Sequence, residues 1–299
     1  MRQYLIIILL LYVSSLDAAE DEQESKTIFD SVSDLAIWFD NFFADPDYES
    51  NETATTYWRL RQSFLIRESE SLESKTRLRG RVKLPNLSRK LALVFEDTDD
   101  DANAAGINDF SNSPNNQDAS ASLAIEYDNS HSDEFIKTQL GYRFSRDSLY
   151  VSNRFSKRFD YDNYSLKLTN KLYWYERSGF ENQFRIHNEW STNSNDLYRI
   201  VVSVLRRQES YNEEGLIYNL SPVWLTQISG ESAIQVGISM DYYTRPIEQW
   251  VSQELYVSYR SDILNSGFSY EVSPFIKATE EENWSPFFGL RLSFEFKFD

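Results

Sequence analysis

The last stretch of the sequence, Phe287-Phe288-Gly289-Leu290-Arg291-Leu292-Ser293-Phe294-Glu295-Phe296-Lys297-Phe298, alternates between apolar and polar residues. The even-numbered residues from Phe288 to Phe298 are all apolar, whereas the odd-numbered ones from Gly289 to Lys297 are small, hydroxylated or charged. Because successive side chains of a β-strand point to opposite faces, this pattern predicts a strand with one apolar wall and one charged wall. A tilted strand of about 9–11 residues with this alternation can cross a bilayer. The stretch therefore favours a membrane strand, with a half-buried strand of a soluble sandwich as the alternative.

The same alternation recurs from about residue 57 onward, between short polar breaks. In the first such segment, Trp58, Leu60, Phe64 and Ile66 lie on one face, and arginines lie on the other. Counting these segments gives about 14 strands, and an even number is expected of a single-chain bacterial barrel. The sequence thus predicts an all-β fold, a single antiparallel transmembrane β-barrel over residues 57–299 with one N-terminal amphipathic helix.

The aromatic closing strand, which ends at Phe298 and is followed only by Asp299, resembles the last strand of Gram-negative outer-membrane β-barrels. The resemblance is to this porin-like class as a whole and identifies no family with a known activity. It implies a position in the cell outer membrane, with outer-membrane lipid around the barrel. It also implies the barrel-assembly machinery as a partner, because in this class the terminal aromatic strand is the signal that the machinery reads.

Composition narrows the possible functions. The 299-residue chain is 15% aromatic although only 41% of it is hydrophobic, which suits a barrel whose strands are half polar. Its 30 basic and 47 acidic residues give a net charge of −17, which argues against a nucleic-acid partner. The chain has no cysteine, so disulfides, thiolate metal ligands, cysteine nucleophiles and lipoprotein acylation are all excluded.

The N-terminal region divides into two parts. Residues 1–19 read as a secretory signal peptide, with Arg2, an apolar run and small residues that predict cleavage near Ala18 or Ala19. Residues 20–56 form a separate segment, within which apolar residues recur at helical spacing over 27–44. We expect this helix to pack at the barrel mouth or to plug the lumen; an interfacial segment on the inner leaflet is the alternative.

Two further expectations concern the connections and the prolines. If both termini face the periplasm, the long polar connections, including residues 97–119, lie outside the cell, and the even-numbered connections are short periplasmic turns. Pro222 and Pro274 fall inside predicted strands, and since proline in a sheet is found mainly at edges and bulges, we expect a local bulge at each.

The charged faces of the strands are the candidate functional surface. Such a wall must be wet or paired, because an isolated buried ion is very costly. The residues predicted to line the lumen are Arg59, Arg61, Arg67, Arg77, Arg79, Arg81, Lys83, Arg154, Arg185, Arg199, Glu254, Glu271, Arg291 and Glu295. Further residues on the same faces are Arg143, Arg158, Lys167, Lys171, Arg207, Glu126, Glu181 and Glu189.

This wall permits two functional interpretations. The basic residues favour a passive channel, or porin, for transport of small anionic solutes. A ladder of Arg–Glu pairs that closes the lumen would instead indicate a structural or assembly-related barrel. A barrel of about fourteen strands has more interior than an eight-stranded one, whose side chains just fill it, so some aqueous lumen is favoured.

An enzyme is the third and weakest interpretation. His187, with Glu189 and Ser191 nearby, loosely resembles the site of an outer-membrane lipase, but the alternation places His187 on the inner face rather than the lipid-facing wall. His131, the second histidine, falls in a predicted periplasmic turn, where a protease of the omptin kind would not have it. We find no motif for a cofactor, and the acidic run Asp99-Asp100-Asp101 lacks the spacing of a calcium loop. The sequence therefore predicts a protein that is not an enzyme and has no cofactor or metal.

Overall fold

The computed structural model describes residues 31–43, 56–68, 71–84, 90–97, 121–129, 134–212, 214–263 and 267–298. They form helix α1 (Val32–Phe42) and the strands β1 (Tyr57–Arg67), β2 (Glu73–Lys83), β3 (Leu91–Asp97), β4 (Ala121–Asp128), β5 (Glu134–Arg143), β6 (Ser148–Tyr161), β7 (Tyr164–Tyr175), β8 (Gly179–Ser191), β9 (Asp196–Arg207), β10 (Leu216–Ser229), β11 (Ser232–Tyr243), β12 (Gln249–Ile263), β13 (Phe268–Thr279) and β14 (Phe287–Phe298). The predicted signal peptide, residues 98–119 of the polar insertion and His131 lie outside these ranges.

The strands close into one antiparallel barrel. Each strand pairs with its neighbours in sequence, and β1 pairs with β14 over a ladder that runs from Trp58 opposite Phe298 to Arg67 opposite Gly289. Closure leaves the sheet without an edge strand whose backbone groups would be unpaired. Within the described residues the barrel has fourteen strands, which confirms the predicted closed, antiparallel all-β barrel and its strand number.

Burial alternates along each strand and separates two walls. On β9, for example, Leu197, Arg199 and Val201 are buried, whereas Val202 on the opposite face is exposed. The outward residues are mainly large and apolar and form a band around the barrel. They include Leu78, Leu93, Leu123, Ile125, Leu140, Leu149, Val151, Phe155, Leu172, Trp174, Phe184, Ile238, Leu255, Phe288, Phe294 and Phe296. A band of this extent is far larger than the apolar patches that a soluble monomer exposes.

Glycines within the strands stand directly opposite aromatic residues of the next strand. The pairs are Trp58 with Gly80, Gly141 with Tyr150, Gly237 with Tyr256, and Phe275 with Gly289. In each pair the ring lies over the glycine, in the space that a side chain would need. Cross-strand pairs of this kind fix the register of neighbouring strands and cover the backbone at the glycine.

A Gly141→Ala variant should be less stable than the wild type by about 1–3 kcal/mol, the usual cost of overpacking. Its Cβ would lie 2.6 Å from the backbone oxygen of Leu123 and 2.7 Å from the Cβ of Ala124, and neither atom can turn away. Urea unfolding in detergent, followed by tryptophan fluorescence, measures the loss.

Gly80→Ala is the matched control for that variant. The new Cβ would lie 2.2 Å from Cε3 of Trp58, but that side chain is 38% exposed on the outer face and can rotate aside. We expect the smaller loss for Gly80→Ala; the reverse order would contradict the register of β4, β5 and β6.

The predicted bulges at Pro222 and Pro274 are wrong. Pro222 stands opposite Ile200 and Pro274 opposite Leu290 without a change of register. On their other sides, towards β11 and β12, the ladder omits the pair at the proline and the pair at the preceding serine, and it continues in the same register beyond them. A proline lacks one N–H, so it removes one ladder bond without needing an extra residue. The register shifts occur instead at Gln227/Ser229 and Asp241/Tyr242.

Among the described residues, helix α1 (Val32–Phe42) lies inside the predicted range 27–44. It begins after Ser31, whose hydroxyl accepts a hydrogen bond from the Asp34 backbone N–H at 3.1 Å and lies 2.7 Å from the Asp34 carboxylate. Serine at this position accepts a hydrogen bond from a backbone N–H that the first turn leaves without a partner, so it caps the N-terminus of the helix. Residues 27–30 and 44 of the predicted helix lie outside the described part of the chain. Over the ranges that the structure covers, no helix combines the length and apolarity that crossing a bilayer requires.

Candidate functional site

The residues predicted to line the lumen all lie on the inner face of the barrel. Those that are buried are Arg61, Arg81, Arg185, Arg199, Glu254, Glu271, Arg291 and Glu295. Those that are half-buried are Arg59, Arg67, Arg77, Arg79, Lys83 and Arg154. The cause is strand alternation, since every odd-numbered residue of β1 and β2 points inward. The register places inward residues of one strand opposite inward residues of the next, for example Arg59 opposite Arg79.

Ion pairs bring most of these residues together on the wall formed by β12, β13, β14 and β1. Arg291 donates two hydrogen bonds of 2.7 Å to the two carboxylate oxygens of Glu254, a bidentate pair. Glu271 lies 3.0 Å from Arg61 and 3.6 Å from Arg260. Glu295 lies 2.9 Å from Arg260 and 3.6 Å from Arg59. In this network Glu271 and Glu295 each contact two arginines.

Similar pairs continue around the rest of the wall. Glu126 lies 2.7 Å from Arg81. Glu96 lies 2.9 Å from Arg79. Glu189, which is fully buried, lies 2.7 Å from Arg199 and 3.4 Å from Arg158.

These ion pairs run along the wall and not across the barrel. Arg59 and Glu295 belong to neighbouring strands, whereas Arg61 and Glu271 have one strand between them, as do Arg81 and Glu126. Fourteen strands about 4.8 Å apart and tilted by about 40° make a cylinder roughly 28 Å across between backbones. Ion pairs between neighbouring strands, or between strands with one strand between them, stay on one side of such a cylinder.

Basic side chains outnumber acidic ones on the described inner face, although the whole chain carries a net charge of −17. Besides the predicted lumen residues, the inward basic residues include Lys75, Lys137, Arg143, Lys167, Lys171, Arg207, Lys277 and Lys297. Sequence reasoning missed Lys137, Arg260 and Lys277 as inner-wall residues. The alternation could have found them, because each immediately follows an outward apolar or aromatic residue: Ile136, Tyr259 or Ile276.

Helix α1 lies within the lumen. Its apolar face packs on inner-wall residues at one end of β9, β10 and β11, and the buried cluster comprises Val32, Leu35, Ala36, Phe39, Phe42, Phe43, Leu197, Val223, Leu225 and Ala233. On other parts of the wall, Arg158 of β6 donates a 3.0 Å hydrogen bond to the Ser33 hydroxyl, and the Arg260 guanidinium lies 5.9 Å from the Phe42 ring. Three positions were predicted for the helix: the barrel mouth, the lumen and the inner leaflet. In the structure the helix lies in the lumen.

An aromatic cluster occupies the inner wall at the opposite end of the barrel. The guanidinium of Arg143 lies 5.5, 5.8 and 5.1 Å from the rings of Tyr150, Tyr173 and Tyr175, and it also hydrogen-bonds the Tyr175 hydroxyl. Cation–π contacts of this kind help to hold an arginine in place. The two ends of the lumen therefore differ: one has an apolar seat with α1 on it, and the other has an arginine among tyrosines.

His187 is buried on the inner wall of β8, opposite Lys167 on β7 and Val201 on β9. Ser191 lies at the end of β8 and donates a 2.8 Å hydrogen bond to the backbone oxygen of Asp196 in the turn. Among the residues that the structure describes, no group of three or more His, Asp or Glu side chains could hold a metal ion.

Comparisons with known proteins show the fold. No protein-family model matches the chain, and no curated protein matches its sequence. The loop L8 deletion mutant of OmpT, an outer membrane protein of Vibrio cholerae, aligns with a TM-score of 0.51 and 10% identity over 81% of this chain and 98% of that one. OmpT itself, folded in vitro, aligns with a TM-score of 0.49 and 9% identity over 81% of this chain and 96% of that one. OccK5 (OpdH) of Pseudomonas aeruginosa aligns with a TM-score of 0.48 and 9% identity over 81% of this chain and 97% of that one. The barrel thus has the fold of outer-membrane β-barrels, which confirms the resemblance that the closing strand carries.

Proposed function

We propose that the protein is a passive outer-membrane channel for small anionic solutes, with a lumen narrowed at one end by α1. The supporting observation is the inner wall: it is predominantly basic in an acidic protein, and its ion pairs run along the wall. A basic lining lowers the energy of an anion in a narrow aqueous passage and raises that of a cation. The apolar outer band fits hydrocarbon, and both barrel ends carry polar turns, as a spanning barrel requires.

A structural or assembly-related barrel with a closed lumen is the second candidate. The presence of α1 in the lumen favours it, because an α-helix with its side chains is about 10–12 Å across. Flat side chains about 5–6 Å thick on a roughly 28 Å cylinder leave a space only about 16–18 Å wide. At its own level the helix therefore fills a large share of the free cross-section, and its contacts extend from Arg158 of β6 to Arg260 of β12.

Planar-bilayer recording separates these functions. We expect the refolded full chain to give stepwise openings. Under a potassium chloride gradient, the reversal potential should have the sign expected when chloride permeates more easily than potassium. Silence from well-folded protein, both in the full chain and in a variant without residues 20–50, would reject the channel. A reversal potential of the opposite sign would keep the channel and reject its preference for anions.

A further inference from the structure

The outer wall carries a group of polar side chains on four adjacent strands, which we call the amide patch. Its members are Thr138 on β5, Asn153 on β6, Asn170 on β7 and Asn182 on β8. The ladder places Thr138 directly opposite Asn153. It places Asn153 and Asn182 on either side of Leu172, which is 42% exposed in the apolar outer band. The patch therefore faces outward, and Leu172 lies at its centre.

In a bilayer the amide patch would lie at the level of the hydrocarbon core. Asn153 and Asn170 are near the middle of their strands, away from the turns at which a spanning barrel meets the head groups. Near the middle of β11, β12 and β13 the outward residues are apolar, such as Ile238, Leu255 and Val272. Because lipid chains offer no hydrogen-bonding partner, an amide at this level is costly unless protein surrounds it.

Hydrogen bonds within the barrel satisfy the patch only in part. Asn153 donates to the Thr138 hydroxyl at 3.1 Å. Asn182 donates to the side-chain oxygen of Asn170 at 3.4 Å and to the backbone oxygen of Lys171 at 3.2 Å. The side-chain oxygens of Asn153 and Asn182 accept no hydrogen bond from the described residues. Each of these two amides therefore keeps an acceptor without a donor.

Gln62 on β1 is an outward amide with the opposite properties. It also lies near the middle of its strand, where it stands opposite Phe294 of the outer band. Its side-chain oxygen accepts a hydrogen bond from the Thr76 hydroxyl, and its amide nitrogen donates to the backbone oxygen of Ser63 at 3.4 Å. Both polar atoms of Gln62 are thus bonded within the barrel, so this amide needs no partner from outside.

We propose that the amide patch is the surface through which a second copy of this chain packs against β5–β8 in the membrane. An amide is both a donor and an acceptor, so a patch of amides is complementary to its own copy, as a twofold interface requires. The contact replaces lipid around Asn153 and Asn182 with protein donors, and polar side chains of this kind hold proteins together within membranes. The exposed side chains of Phe155, Leu172 and Phe184 supply the apolar packing around them. The proposal concerns the outer wall alone, so it goes beyond the proposed channel and does not depend on conduction.

Sedimentation equilibrium of the refolded full chain, in detergent micelles matched in density to the solvent, measures the association. We expect a monomer–dimer equilibrium for the wild type, and at least about tenfold weaker association for the double variant Asn153→Leu/Asn182→Leu. Gln62→Leu makes the same kind of change at an amide that is bonded within its own barrel, and it should associate as the wild type does. Leucine suits a lipid-facing position, so the variants should fold, and the heat-modifiable band on a gel verifies this.

Single cysteines in liposomes locate the contact. With a lipid-soluble oxidant, Leu172→Cys at the centre of the amide patch should form a disulfide-linked dimer, whereas Leu255→Cys, at a position 38% exposed on β12, should remain monomeric. A wild type that sediments only as a monomer, or a double variant that associates as the wild type does, would overturn the proposal. Equal weakening by Gln62→Leu, or equal cross-linking at the two cysteine positions, would overturn it as well, because the contact would then lie elsewhere.

Discussion

A variant that lacks residues 20–50 should show at least about twofold higher single-channel conductance than the full chain, because it loses a helix about 10–12 Å across from a lumen of limited width. The strands close on one another without contribution from the helix, so the barrel should still fold. Removal exposes the apolar seat formed by Leu197, Val223, Leu225 and Ala233, and it takes the Ser33 hydroxyl from Arg158 and the Phe42 ring from Arg260. Recording both proteins in planar bilayers under identical salt measures the change.

A point substitution should reproduce the deletion. Phe39 is fully buried between helix and wall, and Phe39→Glu would place a charge in the apolar seat, so the helix should leave it. Asp34→Asn alters an exposed residue of the same helix and should conduct as the full chain does. Equal conductance of the deletion variant and the full chain would mean that α1 does not obstruct the passage.

Glu254→Gln should be the most destabilising single change in the wall, by about 3–5 kcal/mol, the usual cost of leaving a buried charge without its partner. Arg291 would lose a bidentate partner while remaining 5% exposed, and Lys277, 4.0 Å from Glu254, would lose a second interaction. Urea titration of the folded band on unheated gels gives the loss of stability.

The double variant Glu254→Gln/Arg291→Met should recover much of that stability, because it removes both charges of the pair. Asp147→Asn is the matched control, because it makes the same kind of change in an exposed ion pair. Asp147 and Arg177 are also paired at 2.8 Å, but in turns where their side chains are 63% and 62% exposed, so this change should have little effect. A Glu254→Gln variant as stable as the wild type would contradict the account of the wall as a set of paired charges.

The alternation of the sequence was sufficient to predict the barrel, its strand number and the face on which each predicted lumen residue lies. The reason is that a strand has a fixed period of two, so a run such as 287–298 fixes both its conformation and its faces. The bulges at Pro222 and Pro274 were predicted wrongly because a preference for bulges was applied where a single missing N–H suffices.

The partners of the charged residues could not be predicted. Arg61 and Glu271 are separated by 210 positions in the sequence and meet because β14 lies between β1 and β13 with a particular stagger. That stagger is a property of the closed barrel and has no signal within either strand.

The location of α1 was partly open to prediction. Its apolar face could be read from Val32, Leu35 and Phe39, but the complementary seat is spread over three strands. A local signal exists on β9, where Leu197 and Val201 put apolar side chains on a face that is charged or polar elsewhere. Apolar residues at inward positions of a barrel strand mark a place where another apolar segment packs, and the helix is that segment here.

Cysteine labelling tests the central claim most directly, namely that the chain forms a closed barrel with an apolar wall towards lipid and a charged wall towards a wet lumen. The chain has no native cysteine, so adjacent inward and outward positions can be compared singly: Gln139 with Leu140, and Gln183 with Phe184. In liposomes, a charged water-soluble thiol reagent should label Gln139→Cys and Gln183→Cys, and leave Leu140→Cys and Phe184→Cys unlabelled. Labelling of the outward pair, or protection of the inward pair in folded protein, would contradict the account.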